Sequence, residues 1–201
     1  MKRDHSHFLG PIGGLGGKAA NNLAKQTDLA IAVGTKLADF TTGSWANFEN
    51  PDFSLVSVNV SRFDASKHLA QSVIGDAKVS LQELSNALGD WKAPDEWHKK
   101  SRDELKNWND YVDKESGPTN QELPSYAHAV GAIYRNSDPT DIAVTAAGGL
   151  VGEVVQIWRP KELNTHETEC GFSCMSYEIS GALGVKTVSY THLTLPTMCV
   201  V

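Results

Sequence analysis

The chain has 201 residues, of which 40% are hydrophobic and 21% are charged, which is the composition of a globular protein with a buried core. A net charge of −6 argues against a nucleic-acid partner, since phosphate binding requires clustered Lys and Arg, and the absence of a long apolar run in the sequence argues against a membrane partner. Three cysteines favour a reducing compartment over a disulfide framework, so we expect a cytoplasmic protein.

The first third of the sequence predicts an α/β layer. A helix is expected over residues 18–26, after a glycine-rich run. The short apolar runs at 29–33 and 55–60 are typical of buried parallel strands. A polar and aromatic stretch at 40–51 is expected to be a loop, and 79–88 has helical spacing. This order of elements indicates a parallel sheet.

A second α/β unit is expected after a charged linker. The linker contains one amphipathic helix over residues 95–114, which Gly117 and Pro118 would end. The second unit is then predicted to contain a helix at 126–134, a strand at 141–145, a flexible loop at 147–149 and a helix at 177–185. These elements describe the start of another α/β domain.

The last residues, 187–201, break this pattern. A helix ending at Lys186 should lead through a short turn to the next strand. The sequence found there instead resembles translated sequencing-adapter sequence, so we interpret 187–201 as a non-native tail. The alternative is a genuine β-prone tail.

The glycine-rich run at 10–18 departs from known phosphate-binding patterns. It has Ile12 where a Walker loop has Gly, and Ala19 follows Lys18 where Ser or Thr is required. The dinucleotide-binding fingerprint requires a strand directly before the glycines, and the sequence predicts none there. We therefore expect a loop that lets the next helix approach its neighbours, with phosphate binding at the helix start as the alternative.

Other residues with chemical potential give weaker patterns. His166, Cys170 and Cys174 are spaced by four, but no fourth ligand stands at a matching spacing, so we expect no zinc site. Cys174 is expected to be a small buried residue. Four glutamates could transfer protons, but acidic residues are mostly solvated and nothing in the sequence sets any of these apart. They are Glu153, Glu167, Glu169 and Glu178.

Two segments resemble one enzyme family. Residues 146–150 (Ala-Ala-Gly-Gly-Leu) and 169–186 (Glu-Cys-Gly-Phe-Ser-Cys-Met-Ser-Tyr-Glu-Ile-Ser-Gly-Ala-Leu-Gly-Val-Lys) resemble the thiamine-diphosphate enzymes that include acetolactate synthase. Residues 10–13, 28–35 and 39–43 resemble the central domain of that family. The resemblance covers about residues 8–186.

This resemblance implies a parallel-sheet, Rossmann-like central domain followed by a truncated thiamine-diphosphate-binding α/β domain. The central domain would cover residues 1–90 and would be truncated at its N-terminus. A helical linker would cover 91–121, and the beginning of the C-terminal domain would cover 122–186. The suspected tail would follow at 187–201.

The resemblance also implies roles for five residues. Gly149 and Leu150 would lie near the cofactor diphosphate, Ser173 and Cys174 would line the pocket, and Met175 would support the bent shape of the cofactor. The glutamate that activates the cofactor and the Gly-Asp-Gly motif that holds Mg²⁺ are expected outside the chain. No catalytic residue and no metal ligand is therefore assigned. Ser176 stands where the family usually has Gly, which would crowd the loop.

The implied activity is hydrolytic cleavage of a carbon–carbon bond in a cyclic 1,2-dione during myo-inositol degradation. The chain would be an internal fragment of such an enzyme, inactive alone, and the full-length parent would be a homo-oligomer that uses thiamine diphosphate and Mg²⁺. The alternatives are a carboligase or decarboxylase of the acetolactate-synthase type, and a non-catalytic nucleotide-binding module in the N-terminal unit.

Overall fold

The computed structural model describes residues 5–189, which belong to two compact units. One unit contains Pro11–Leu105, and the other contains the described residues on either side of it, 5–10 and 106–189. Both units are α/β with parallel strands. Within residues 5–189, no helix has the length and apolar character needed to cross a membrane.

The unit of Pro11–Leu105 is built on a three-stranded parallel sheet with β2 in the centre. Ala32 and Leu55 of the sheet pack with Leu37 in a small apolar core, and Val58 is buried as well. In chain order, its elements are α1 (Lys18–Ala24), β1 (Leu29–Val33), α2 (Asp39–Thr42), β2 (Ser54–Asn59), α3 (Arg62–Ala65), a 3₁₀ turn (Lys67–Leu69), β3 (Gln71–Ile74) and α4 (Ala77–Leu88).

The structure confirms the helices and strands predicted in this unit, adds α3, the 3₁₀ turn and β3, and differs from the predictions at β1 and at 40–51. β1 is parallel to β2, but Leu29 is 49% exposed, so this strand is not buried on both faces as expected. The predicted loop at 40–51 overlaps α2, which packs the side chain of Thr42 into the interior. β3 was not predicted, because it has four residues and begins with two polar ones, Gln71 and Ser72.

A long helix, α5 (Asp95–Glu115), crosses from one unit to the other. Its bounds confirm the amphipathic helix predicted in the linker. In the unit of Pro11–Leu105, the carboxylate of Glu104 accepts a hydrogen bond from the amide of Asn22 at 3.2 Å. In the other unit, Val112 belongs to the core. The predicted limits of the linker and of the flanking domains stay predictions.

The second unit contains α6 (Tyr126–Arg135), β4 (Ala143–Thr145), α7 (Gly149–Ile157), β5 (His166–Thr168) and α8 (Tyr177–Ser189). β4 and β5 form a two-stranded parallel sheet. The core is formed by side chains from α5, α6, β4 and α7, and its buried members are Val112, Val130, Ala143, Val154, Ile157 and Trp158. Gly131 is required in α6, because a Cβ there would come within 2.1 Å of the carbonyl oxygen of Ser116.

The structure differs from the expectations for this unit at α7 and β5. The loop predicted at 147–149 ends at Gly148, because Gly149 and Leu150 already belong to α7, a helix that was not predicted. β5 was also missed, since it has only three residues. Of the suspected tail, 187–189 continue α8, whereas 190–201 lie outside the described residues.

Candidate functional site

The start of α7 presents a backbone surface suited to an anion. Gly148 precedes the helix with a φ of 100° and, because it has no side chain, provides no cap for the first turn. That turn also carries no acidic residue. A Cβ added at Gly148 would meet nothing within 4 Å, so the space beside it is open. The first N–H groups of a nine-residue helix are therefore available to an anionic group, which the helix dipole also favours.

The loop before α8 is organised by its own carboxylate. Glu169 accepts hydrogen bonds from the backbone N–H of Phe172 at 2.7 Å and of Cys174 at 2.9 Å. These bonds hold the pKa of the Glu169 carboxyl below its usual value. The same loop exposes Met175, whose side chain is 84% accessible. An apolar side chain held outward on an ordered loop offers a surface for an apolar ring.

Glu178, in the first turn of α8, connects the two segments. Its Oε1 accepts a hydrogen bond from the backbone N–H of Ala146 at 3.2 Å and from that of Ala147 at 3.3 Å. Ala146 directly follows β4, and the loop then leads into α7. The carboxylate therefore joins the start of α8 to the loop that ends at the open N-terminus of α7.

A row of polar side chains crosses the two-stranded sheet. The hydroxyl groups of Thr145 and Thr168 lie 3.0 Å apart on paired residues, and the Thr168 hydroxyl lies 2.9 Å from Nε2 of His166. Burial lowers the pKa of the His166 imidazole, which favours its neutral form. These contacts fix the ends of β4 and β5 relative to one another.

The structure distributes the five predicted site residues over two places. Gly149 and Leu150 lie in the first turn of α7, where Leu150 packs against the core. Ser173, Cys174 and Met175 lie on the loop before α8 and are exposed. The expectation that Cys174 is buried is wrong, because the hydrogen bonds to Glu169 turn this loop outward.

Two carboxylates that hold these loops were not singled out from the sequence. Glu169 and Glu178 were considered only as members of a set of acidic residues. Glu178 stands in the first turn of a helix, a common place for a carboxylate, and its partners lie 31 and 32 residues away. No local pattern could have identified those partners.

The candidate metal ligands do not form a site in the described part of the chain. His166 lies in β5 instead of sharing a helical face with Cys170 and Cys174. Within residues 5–189, no group of three or more His, Cys, Asp or Glu side chains could hold a metal ion.

The glycine-rich run at 10–18 is used for packing, as expected. The backbone of Gly13 exchanges two hydrogen bonds with the side chain of Asn21, at 2.8 and 3.0 Å. A Cβ at Gly13 would lie only 1.9 Å from the carbonyl oxygen of Phe40. The glycines thus allow the loop to approach α1 and α2. The alternative, phosphate binding at the start of α1, is disfavoured because this helix has only seven residues.

Comparison with known proteins identifies the first segment. Residues 1–84 match the family model described as "Thiamine pyrophosphate enzyme, central domain". This segment belongs to that family. The parallel three-stranded sheet of the unit is consistent with such a domain.

Similar proteins match both units of the chain. It is 35% identical over 207 residues to the 3D-(3,5/4)-trihydroxycyclohexane-1,2-dione hydrolase of Geobacillus thermodenitrificans, with 92% of this chain and 32% of that protein covered. It is 38% identical over 207 residues to the enzyme of the same name from Clostridium tetani, with 89% and 31% covered. The chain spans about a third of the length of the curated relatives it matches.

Proposed function

We propose that the chain is part of a thiamine-diphosphate-dependent hydrolase that opens a cyclic 1,2-dione by cleaving a carbon–carbon bond. The observation that carries this proposal is the similarity to dione hydrolases over 92% of the chain. That similarity extends well beyond the central-domain match at 1–84 and therefore includes the unit that contains α7 and α8.

The domain arrangement follows from the same similarity. Residues 1–90 would be a Rossmann-like central domain, 91–121 a helical linker and 122–186 the beginning of the cofactor-binding domain. Thiamine pyrophosphate enzymes of this family take thiamine diphosphate, so we assign that cofactor to the complete protein. A divalent cation such as Mg²⁺ would accompany the diphosphate, because hard cations pair with phosphate oxygens.

The geometry of the second unit fits the cofactor. The uncapped start of α7 and the open space at Gly148 suit a diphosphate, with Gly149 and Leu150 beside it. Ser173, Cys174 and the exposed Met175 would line the pocket for the ring portion. Bound thiamine diphosphate supplies a nucleophilic carbon and an electron sink. The residues of this chain would bind and orient it.

The surroundings of the protein are proposed from composition and resemblance alone. We propose a cytoplasmic homo-oligomer that acts on a small-molecule dione and has no nucleic-acid or membrane partner. Analytical ultracentrifugation of the complete protein tests the oligomeric state, and a single sedimenting monomer would contradict it.

The decisive experiment compares substrates. The complete protein encoded by the reading frame that contains this chain is assayed with the cyclic dione and with pyruvate, with and without thiamine diphosphate and Mg²⁺. We expect turnover of the dione only, and only with cofactor. Formation of acetolactate from pyruvate would instead assign a carboligase, and turnover without the cofactor would refute the proposal.

A further inference from the structure

We propose that Glu178 is a positioning residue that fixes the loop between β4 and α7 against the start of α8. Both segments carry residues assigned above to the cofactor pocket, so this inference rests on the proposed function. Glu178 is not itself among those pocket residues. Its role would be to set the distance between Gly149 and Leu150 on one side and Met175 on the other.

The contact is directed at backbone groups that have to be satisfied. Ala146 is only 2% exposed, and its N–H donates to Oε1 of Glu178, as does the N–H of Ala147. A buried N–H without an acceptor is costly, and a carboxylate is a stronger acceptor than a neutral group. One oxygen atom therefore holds two consecutive peptide units.

The loop needs an external partner because of its own sequence. It continues through Gly148, at a φ of 100°, into Gly149, and no side-chain cap fixes the start of α7. Two consecutive glycines leave the backbone many accessible conformations. The carboxylate, held in the first turn of α8 where the helix dipole favours negative charge, supplies the missing constraint.

The consequence for the cofactor is specific. Without the Glu178 carboxylate, the N-terminus of α7 would sample several positions relative to the loop that carries Met175. A cofactor that contacts both segments would then have to order them upon binding, which lowers its affinity. Once the cofactor is bound, the loop is ordered again, so turnover at saturating cofactor would change little.

The first test measures the loop directly in the 201-residue chain. Amide hydrogen exchange of Ala146 and Ala147 is followed by NMR in the wild type, Glu178→Ala, Glu178→Gln and the control Glu167→Gln. Glu167 is exposed on β5. We expect exchange to be about tenfold faster or more in Glu178→Ala, the factor for one hydrogen bond to a charged group. Glu178→Gln keeps an acceptor oxygen but loses the charge, so its exchange should lie between those of the wild type and Glu178→Ala. Unchanged exchange in Glu178→Ala would overturn the proposal.

The second test measures cofactor dependence in the complete protein. In Glu178→Ala, we expect the thiamine diphosphate concentration for half-maximal activity to rise about tenfold, with kcat at saturating cofactor unchanged and Glu178→Gln restoring part of the affinity. Glu178→Asp keeps the charge but is one methylene shorter, so it should resemble Glu178→Ala. Faster exchange with unchanged cofactor dependence would contradict the positioning role. If the wild type shows no dependence on thiamine diphosphate, the proposed function fails, and the exchange rates alone decide whether Glu178 holds the loop.

Discussion

Replacement of Ser176 by Gly should stabilise the start of α8. Ser176 has a φ of 73°, in the left-handed region that side chains with a Cβ rarely adopt. The hydroxyl forms no side-chain hydrogen bond among residues 5–189, while the carbonyl accepts from the N–H of Ile179 at 3.2 Å. Glycine keeps that backbone bond and removes the strain.

The magnitude follows from two opposing effects. The left-handed conformation costs a residue with a Cβ about 1–2 kcal/mol. Glycine loses about 0.5–1 kcal/mol more conformational entropy on folding than a residue with a side chain. The net gain in the free energy of unfolding is therefore about 0–1.5 kcal/mol, the difference between the two.

The assay is amide hydrogen exchange of Ala182 in α8, measured against urea concentration, because Ala182 is buried and reports the local opening of this helix. Ser180→Gly is the matched control, since Ser180 lies within the same helix and glycine there should cost about 0.5 kcal/mol. If Ser176→Gly destabilises α8 as Ser180→Gly does, the strain argument is refuted.

Three further changes test other parts of the structure. The Ser57 hydroxyl is buried and has no hydrogen-bond partner among residues 5–189, so Ser57→Ala should leave the urea midpoint unchanged or raise stability by up to about 1 kcal/mol, and a clear loss would contradict this. Gly131→Ala should destabilise by about 1–3 kcal/mol in urea unfolding, because its Cβ would overlap the carbonyl oxygen of Ser116; wild-type stability would show that the contact relaxes freely. The pKa of the Glu169 carboxyl is lowered, so its stabilisation of the loop is complete above the usual glutamate pKa and is lost as the pH falls through the pKa of the folded protein. In an NMR titration, the chemical shift of the Phe172 N–H should follow that loss. Glu169→Gln should abolish this pH dependence.

The sequence predicted those helices and strands whose hydrophobic residues recur with one clear period. The apolar runs of β1 and β2 and the helical spacing of α4, α5 and α6 were sufficient for this reason. α7 was missed because Gly149 and Gly152 lower its intrinsic helix propensity. Its stability comes from packing Val154 and Ile157 into the core, a tertiary effect that a local pattern does not contain.

The candidate site was predictable only in part, for a similar reason. Resemblance assigned Gly149 and Met175 to the site, but it did not indicate how their segments are held together. The connection depends on Glu178, whose partners are backbone N–H groups far along the chain. Every residue except proline has a backbone N–H, so the amino-acid sequence does not indicate which of them Glu178 contacts.

The most direct test of the account follows the oxygen atom of water. The complete protein is freed of cofactor, reconstituted with thiamine diphosphate and Mg²⁺, and given the cyclic dione in ¹⁸O-labelled water, and the product is analysed by mass spectrometry. The account predicts an open-chain acid that is one water heavier than the dione and carries the label in its carboxylate, formed only after reconstitution. An unlabelled product, or an unchanged dione together with conversion of pyruvate, would contradict it.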